Sequence, residues 1–473
     1  MRWTALLLGL LCVSGCDATP NPDDDAAVRG DGGISDAGLA DSSVADSSVA
    51  DSSVADAGGA DSGPADAGVD AEAPDAGPGL VTGLRARLEA AATTLERDAI
   101  VHEAAWSGRW PASDASGWLF VTRWPDAPEA VSLVGDPFGW DEGLAATRLG
   151  DHYIVFVEGA LTSAAGAKYK WRAGSSFRSP GEATAYGSDD FGEFGYVAPP
   201  ADARWRERFP AHASAYLEDR RTFRALLPAG FVRGDRARPV LFMHDGQNLF
   251  DPAPFGGWRV HAALDDASDT DTVVLAVDNA PDRMSAYTHV ADDVGSGVVG
   301  GRADAYLDLV EREALPFFRE RYGVTASGPS LAVAGSSLGG LVSLYAALTR
   351  PDLARCVIAM SPTLGWGAYA AGPAPDALLS RWTARGATAV YLDSGGEGAC
   401  SDPDGDGVQE DAAPRDNLCV TNQLRDRLDM LGYAFDTDLF HWHEPGAEHN
   451  EAAWAARVPR ALAACRTAGW EPG

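Results

Sequence analysis

One short stretch constrains this chain more than any other. Leu331-Ala332-Val333-Ala334 is an apolar run, Gly335-Ser336-Ser337-Leu338-Gly339-Gly340 follows at once, and helical periodicity resumes near Leu341. A buried strand that breaks directly into a helix, with glycines where side chains would collide, lifts the central residue to the helix N-terminus. Free N–H groups and the positive end of the helix dipole there favour a developing negative charge. Ser337 is therefore the candidate nucleophile, and Ser336 and Ser361 read as structural. Further apolar runs lie at Pro239–Met243, Val273–Val277, Val357–Met360 and Ala389–Leu392, with helical patterns at Ala303–Arg321, Leu341–Thr349 and Thr421–Leu431. Buried strands alternating with helices imply an α/β domain around a mostly parallel central sheet covered on both faces.

A serine hydroxyl becomes a good nucleophile when a base takes its proton. On a strand–turn–helix scaffold the chain order is serine, acid, histidine. Three histidines follow Ser337: His441, His443 and His449. The first two end a strand-like run, Phe440-His441-Trp442-His443, and read as exposed strand residues, a metal pair being the other reading. His449 follows in a loop, Gly446-Ala447-Glu448-His449-Asn450-Glu451, that can reach the elbow, so it is the candidate base. The acid should lie between Asp393 and His449, semi-buried and fixed. Asp416 is the first choice, because it precedes a helical segment whose free N–H groups could hold it; Glu397 is the alternative. The oxyanion needs two donors: the N–H of Leu338, and that of Gln247 in the loop His244-Asp245-Gly246-Gln247-Asn248, where Gly246 lets the backbone turn.

The loop from Gly395 to Leu418 is expanded and carries Asp402-Pro403-Asp404-Gly405-Asp406-Gly407. Carboxylates at alternate positions with glycines between them resemble the calcium loops of thrombospondin type-3 and EF-hand-like repeats, so structural calcium on Asp402, Asp404 and Asp406 is an expectation. Cys400 and Cys419 bracket the loop. With Cys356 and Cys465 they give the expected bridges Cys400–Cys419 and Cys356–Cys465, which an oxidising compartment permits.

The amino-terminal part reads as export and tether. Arg2 and the apolar run Trp3 to Val13 fit a secretory signal, too short to span a bilayer, which takes ~20 apolar residues. Val13-Ser14-Gly15-Cys16 resembles a bacterial lipobox, so residues 1–16 read as a lipoprotein signal and its lipobox Cys; the resemblance implies cleavage ahead of Cys16, lipid on Cys16 as the first mature residue, and a membrane-anchored protein of the bacterial cell envelope, periplasmic or at the cell surface. Residues 17–80 hold 15 Asp/Glu against Arg29 alone, with Asp-Ser-Ser-Val-Ala repeated three times from Asp41. Such a segment cannot offset its chain entropy by burial and reads as a disordered linker. The net charge of −32 excludes nucleic acid as a partner, because phosphate binding needs a basic face.

Residues 81–202 read as a helix followed by a small β-sandwich, from short alternating runs at Trp118–Thr122, Val131–Val134, Tyr153–Val157 and Tyr169–Trp171. The spacing of Val131–Trp140 and of Tyr169-Lys170-Trp171 resembles the immunoglobulin-like module ahead of glycan-branching enzymes, and a similar module precedes enterochelin esterases. That implies either glycan contacts through exposed Trp faces or, as favoured here, core roles for Trp118, Trp140 and Trp171.

Within residues 203–473, Phe242–Phe250, the Gly300-Gly301 pair before Asp304, Gly335–Leu341 and Gly446 through His449 to Trp454 resemble the esterase family of α/β-hydrolases that includes enterochelin esterases, feruloyl esterases, esterase D and mycolyltransferases. The resemblance implies hydrolysis of a small-molecule or glycan-linked carboxylic ester through an acyl-enzyme, with no cofactor for catalysis. The alternatives are acyl transfer of the mycolyltransferase type and a non-catalytic glycan-binding surface lipoprotein.

Overall fold

The computed structural model describes residues 79–162, 164–250, 256–369, 376–412 and 416–472. The expectations of a signal, a lipidated Cys16 and a tether fall outside these residues.

The described chain opens with two helices, Leu80–Ala90 and Thr94–Ser107, where the periodicity predicted one. The break is a capping box: the Thr93 hydroxyl accepts from the Glu96 N–H while the Glu96 carboxylate accepts from the Thr93 N–H. That reciprocal pair ends one helix register and starts another. Short strands follow in two layers. Gly117–Arg123 and His152–Glu158 belong to a four-stranded sheet, and Val131–Gly135 and Lys168–Ala173 to the facing one. Phe120, Leu133, Val155, Tyr169 and Trp171 fill the space between them. Trp171 is core as expected. Trp140 instead stands on the exposed outermost strand Gly139–Ala145 and donates its indole N–H to Asp136. Trp118 is half-buried.

The C-terminal part is built on eight strands: β1 Trp205–His212, β2 Arg221–Leu227, β3 Val240–Met243, β4 Val273–Val277, β5 Gly328–Ser336, β6 Ala354–Met360, β7 Ala389–Ser394 and β8 Leu439–His443. Their spatial order is β8-β7-β6-β5-β3-β4-β2-β1. All contacts from β4 across β3 to β8 are parallel, and β2 runs antiparallel to both β4 and β1. β3 and β4 are buried on both faces, as strands covered by helices must be. Helix α1 (Leu338–Thr349) follows β5, α2 (Leu418–Met430) precedes β8, and α3 (Glu451–Thr467) follows it. The predicted helix from Ala303 contains a π segment, Val310–Ala314, between Ala303–Leu309 and Leu315–Tyr322.

The whole sheet is larger and more mixed than the mostly parallel one expected. Beyond β1 it continues without interruption into the N-terminal layers, for a total of 14 strands. The joint is an antiparallel pairing of Arg206 with Tyr186 and Glu207 with Ala185. Hydrogen bonding thus crosses the boundary expected at residue 203. A buried carboxylate reinforces the joint: Glu207 accepts from Arg109 (2.7 Å) and from the Tyr322 hydroxyl (2.9 Å), and Arg321 donates across it to the Gly108 carbonyl.

Candidate active site

Sheet geometry collects the site at the carboxyl ends of β3, β5, β6, β7 and β8, where loops of an open α/β sheet converge. At the end of β5, Ser337 has φ 55° and ψ −123°, a left-handed backbone for a residue that is not glycine. Strain of this kind persists only where the surroundings impose it. Here they do: Ser337 N–H donates to Met360 O, and Ser337 O accepts from Leu341 and Thr363. Gly335 is sterically required, and Gly340 is tightly packed. A Cβ on Gly335 would lie 2.4 Å from the Gly339 carbonyl carbon, and one on Gly340 would lie 3.1 Å from Pro362. Leu338 is the first residue of α1, so its N–H has no partner inside the helix.

The loop after β3 lies against this turn. A Cβ on Gly339 would sit 3.2 Å from Asp245 Oδ2 and 3.5 Å from His244 Cβ. Asp245 is itself left-handed (φ 56°), and Gly246–Asn248 forms a single 3₁₀ turn with Gln247 at its centre. The Gln247 side chain accepts from the Asn279 N–H, which anchors the turn. Burial pushes the Asp245 carboxyl up, but the Arg283 guanidinium and the Asn279 amide outweigh it and hold its pKa below the ordinary value. His244, also buried, donates to or accepts from Tyr306 and is pushed down to about 4 by desolvation.

His449 and Asp416 come together. His449 Nδ1 is 2.8 Å from Asp416 Oδ1, the acid's side chain is fully buried, and that of the imidazole is 28% exposed. Asp416 Oδ2 accepts from the Gly395 N–H and from Arg457 Nη2. The loops after β7 and β8 are laced to each other, Gly396 N–H donating to Ala447 O and Gly446 N–H to Gly396 O. The helix-end expectation for Asp416 is corrected. Asp411, not Asp416, takes the first N–H groups of α2, from Leu418 and Cys419, while Asp416 and Asn417 form a left-handed pair ahead of it. Glu397 is exposed in the same loop. The Ser337 hydroxyl lies 3.1 Å from Thr363 Oγ1, its hydrogen-bond partner among the described residues. Thr363 and Arg457 carried no signal in the sequence, because neither belongs to a local motif.

Both expected disulfides are present, Cys356–Cys465 tying β6 to α3 and Cys400–Cys419 closing the acid loop onto α2. Asp402, Asp404 and Asp406 bring carboxylate oxygens within 4.8 Å of one another. Backbone N–H groups of Gly405, Asp406, Gly407 and Val408 turn onto these carboxylates. His443 is half-buried and hydrogen-bonds Gly396 O, and His441 is pushed down to about 4 by desolvation, so this pair is not the exposed one expected.

Comparison with known proteins decides the family. The family described as "Putative esterase" matches residues 214–465, just over half of the chain and all of the elements above from β2 to most of α3. The chain belongs to this esterase family. It is a serine esterase, a hydrolase of ester bonds on an α/β-hydrolase-like fold. Among curated relatives it is 31% identical over 132 residues to the siderophore triacetylfusarinine C esterase of Aspergillus fumigatus, an alignment covering 27% of this esterase and 45% of the relative's length. It is 24% identical over 254 residues to the Bacillus subtilis (strain 168) protein YbbA, covering 53% and 94%. Among solved structures it is similar to the enterobactin esterase FES from Shigella flexneri, at 15% identity, TM-score 0.42, and coverage of 75% and 95%. The BES protein from Bacillus cereus gives 14%, 0.41, and 55% and 94%.

Proposed function

We propose that this esterase works through Ser337, His449 and Asp416. The observation that carries the reading is the left-handed Ser337 at a strand–helix turn, in a chain whose His449 is bonded through Nδ1 to a buried carboxylate. With Nδ1 committed to Asp416, Nε2 is the nitrogen left to accept a proton. Ser337 Oγ leaves Thr363 by a side-chain rotation and attacks the ester carbonyl as its proton passes to His449 Nε2. The Leu338 and Gln247 N–H groups hold the tetrahedral oxyanion. His449 returns the proton to the leaving alcohol as the C–O bond breaks, giving an acyl-serine. A water then gives a proton to His449 and attacks the acyl carbon, and the imidazolium returns that proton to Ser337 Oγ as the acyl–oxygen bond breaks, freeing the acid and Ser337. Asp416 stays ionised and stabilises the imidazolium.

The proposed setting is the cell envelope, with Cys16 lipidated and the acidic segment as a tether; two disulfides in the folded part support an oxidising compartment. The proposed substrate is a small-molecule ester of the siderophore or feruloyl type, in keeping with the enterochelin-esterase resemblance. Calcium on Asp402, Asp404 and Asp406 belongs to the same proposal, supported by their convergence; addition of EDTA should lower Tm, and a Tm unmoved by EDTA refutes it.

Ser337→Ala is expected to cost at least about a thousandfold in turnover of p-nitrophenyl acetate and to abolish fluorophosphonate labelling. Activity retained by this variant sinks the assignment. A panel of siderophore, feruloyl-sugar and short acyl esters, run with and without a competing alcohol, then names the substrate and separates hydrolysis from acyl transfer.

A further inference from the structure

Arg457 lies on α3, almost fully buried at 2% side-chain exposure, between two fully buried carboxylates. Its Nε is 3.2 Å from Asp393 Oδ2, and its Nη2 is 3.3 Å from Asp416 Oδ2 and 2.9 Å from Ser361 Oγ. Ser361 also accepts from the Trp454 indole (3.1 Å), and its carbonyl accepts from the Asn417 side chain. Trp454 in turn stands edge-on to the His449 ring, centroids 5.0 Å apart and planes at 84°. One helix thus grips the acid through Arg457, the imidazole through Trp454, and the end of β6 through both.

An Asp416 carboxylate can rotate about its terminal torsion, which is broad and roughly two-fold. A half-turn only exchanges two equivalent oxygens, so productive geometry needs the plane of the group held with one oxygen toward His449. The Gly395 N–H and Arg457 Nη2 both claim the other oxygen, so tilting the plane away from His449 would sacrifice two bonds to a buried atom. A planar guanidinium reaches Asp393, Ser361 and Asp416 together; an ammonium has one centre and cannot.

We infer that Arg457 is a positioning residue, fixing the Asp416 carboxylate in the orientation that serves His449. The inference rests on the Ser337–His449–Asp416 reading above. Its rival is purely structural: Arg457 is there to neutralise Asp393. The two readings differ for a protein that has lost both partners.

The experiment measures the second-order rate of fluorophosphonate labelling at Ser337, together with Tm, in wild type, Arg457→Met, Arg457→Lys, Asp393→Asn and Asp393→Asn/Arg457→Met. The small reagent reads the nucleophile and its base. Arg457→Met should slow labelling about ten- to a hundredfold, the scale of a misplaced catalytic group. Arg457→Lys should recover only part of the rate. The double variant, relieved of one buried carboxylate, should melt above Arg457→Met yet still label about tenfold or more below Asp393→Asn. Should Arg457→Met fail to fold, the double variant carries the comparison. Labelling of the double variant at the Asp393→Asn rate overturns the inference while leaving the triad standing. Wild type that fails to label at Ser337 overturns the triad reading and the inference with it.

Discussion

Ser337, His244, Asp393 and His441 are single residues whose surroundings change their chemistry in opposite directions. Ser337 takes a backbone conformation that costs on the order of 1–3 kcal/mol, and the Met360, Leu341 and Thr363 hydrogen bonds hold it there. The two histidines are pushed down to about 4 by burial. Between pH 6.5 and about 4 the unfolded chain therefore binds more protons than the native one, and stability falls as pH falls. Their contribution is complete above pH 6.5. Asp393 works the other way. Burial pushes it up to about 6 against the pull of Arg457, so the native state keeps a proton the unfolded chain has lost, and stability tied to it is lost as pH rises through about 6. The two windows overlap with slopes of opposite sign, so below about pH 6.5 His441→Asn should weaken the rise of Tm with pH and Asp393→Asn should steepen it; curves parallel to wild type would refute both. The serine and the imidazole were legible in the sequence because each sits in a short motif of fixed order. Asp416 was legible as a residue but not in its environment: the helix N-terminus invoked for it holds Asp411 instead. Thr363 and Arg457 could not be found, since what makes them matter is distance in space.

At the scale of elements, the loop between β7 and α2 is the part that departs most from a plain strand–helix connection. It carries three converging carboxylates, a two-residue ladder between Cys400-Ser401 and Glu410-Asp411, and a disulfide at its base. Asp411 pairs with Cys400 in that ladder and also caps α2, so the bridge, the cap and Asp416 share one short piece of backbone. Closing a loop of this size contributes about 3 kcal/mol in the chain-entropy model. Cys400→Ala/Cys419→Ala should lower stability by about 2–4 kcal/mol and also slow Ser337 labelling, because Asp416 loses its brace. Removal of Cys356 and Cys465 should lower Tm without that specific loss at equal fraction folded. The parallel strands were easy to read, being short apolar runs between turn residues; β5, for one, was expected at Leu331–Ala334 and spans Gly328–Ser336. The single helix expected at the head of residues 81–202 was misread because a hydrophobic period alone does not register a capping box.

For the molecule as a whole, the sequence pattern suggested two folded modules, residues 81–202 and 203–473. Patterning of single strands does not say which edges will pair, however. β1 would be an open edge in a free-standing C-terminal domain, a row of unpaired backbone groups of the kind that sheets must cover. Ala185 and Tyr186 cover it, and the buried Glu207 has its cationic partner Arg109 on the far side of the boundary.

That shared ladder should couple the unfolding of the two halves. Melting one would strip main-chain partners and a counter-ion from the other, so heat should convert them together. Differential scanning calorimetry is expected to give a single peak whose van't Hoff and calorimetric enthalpies agree; two resolved peaks would mean that the seam yields first.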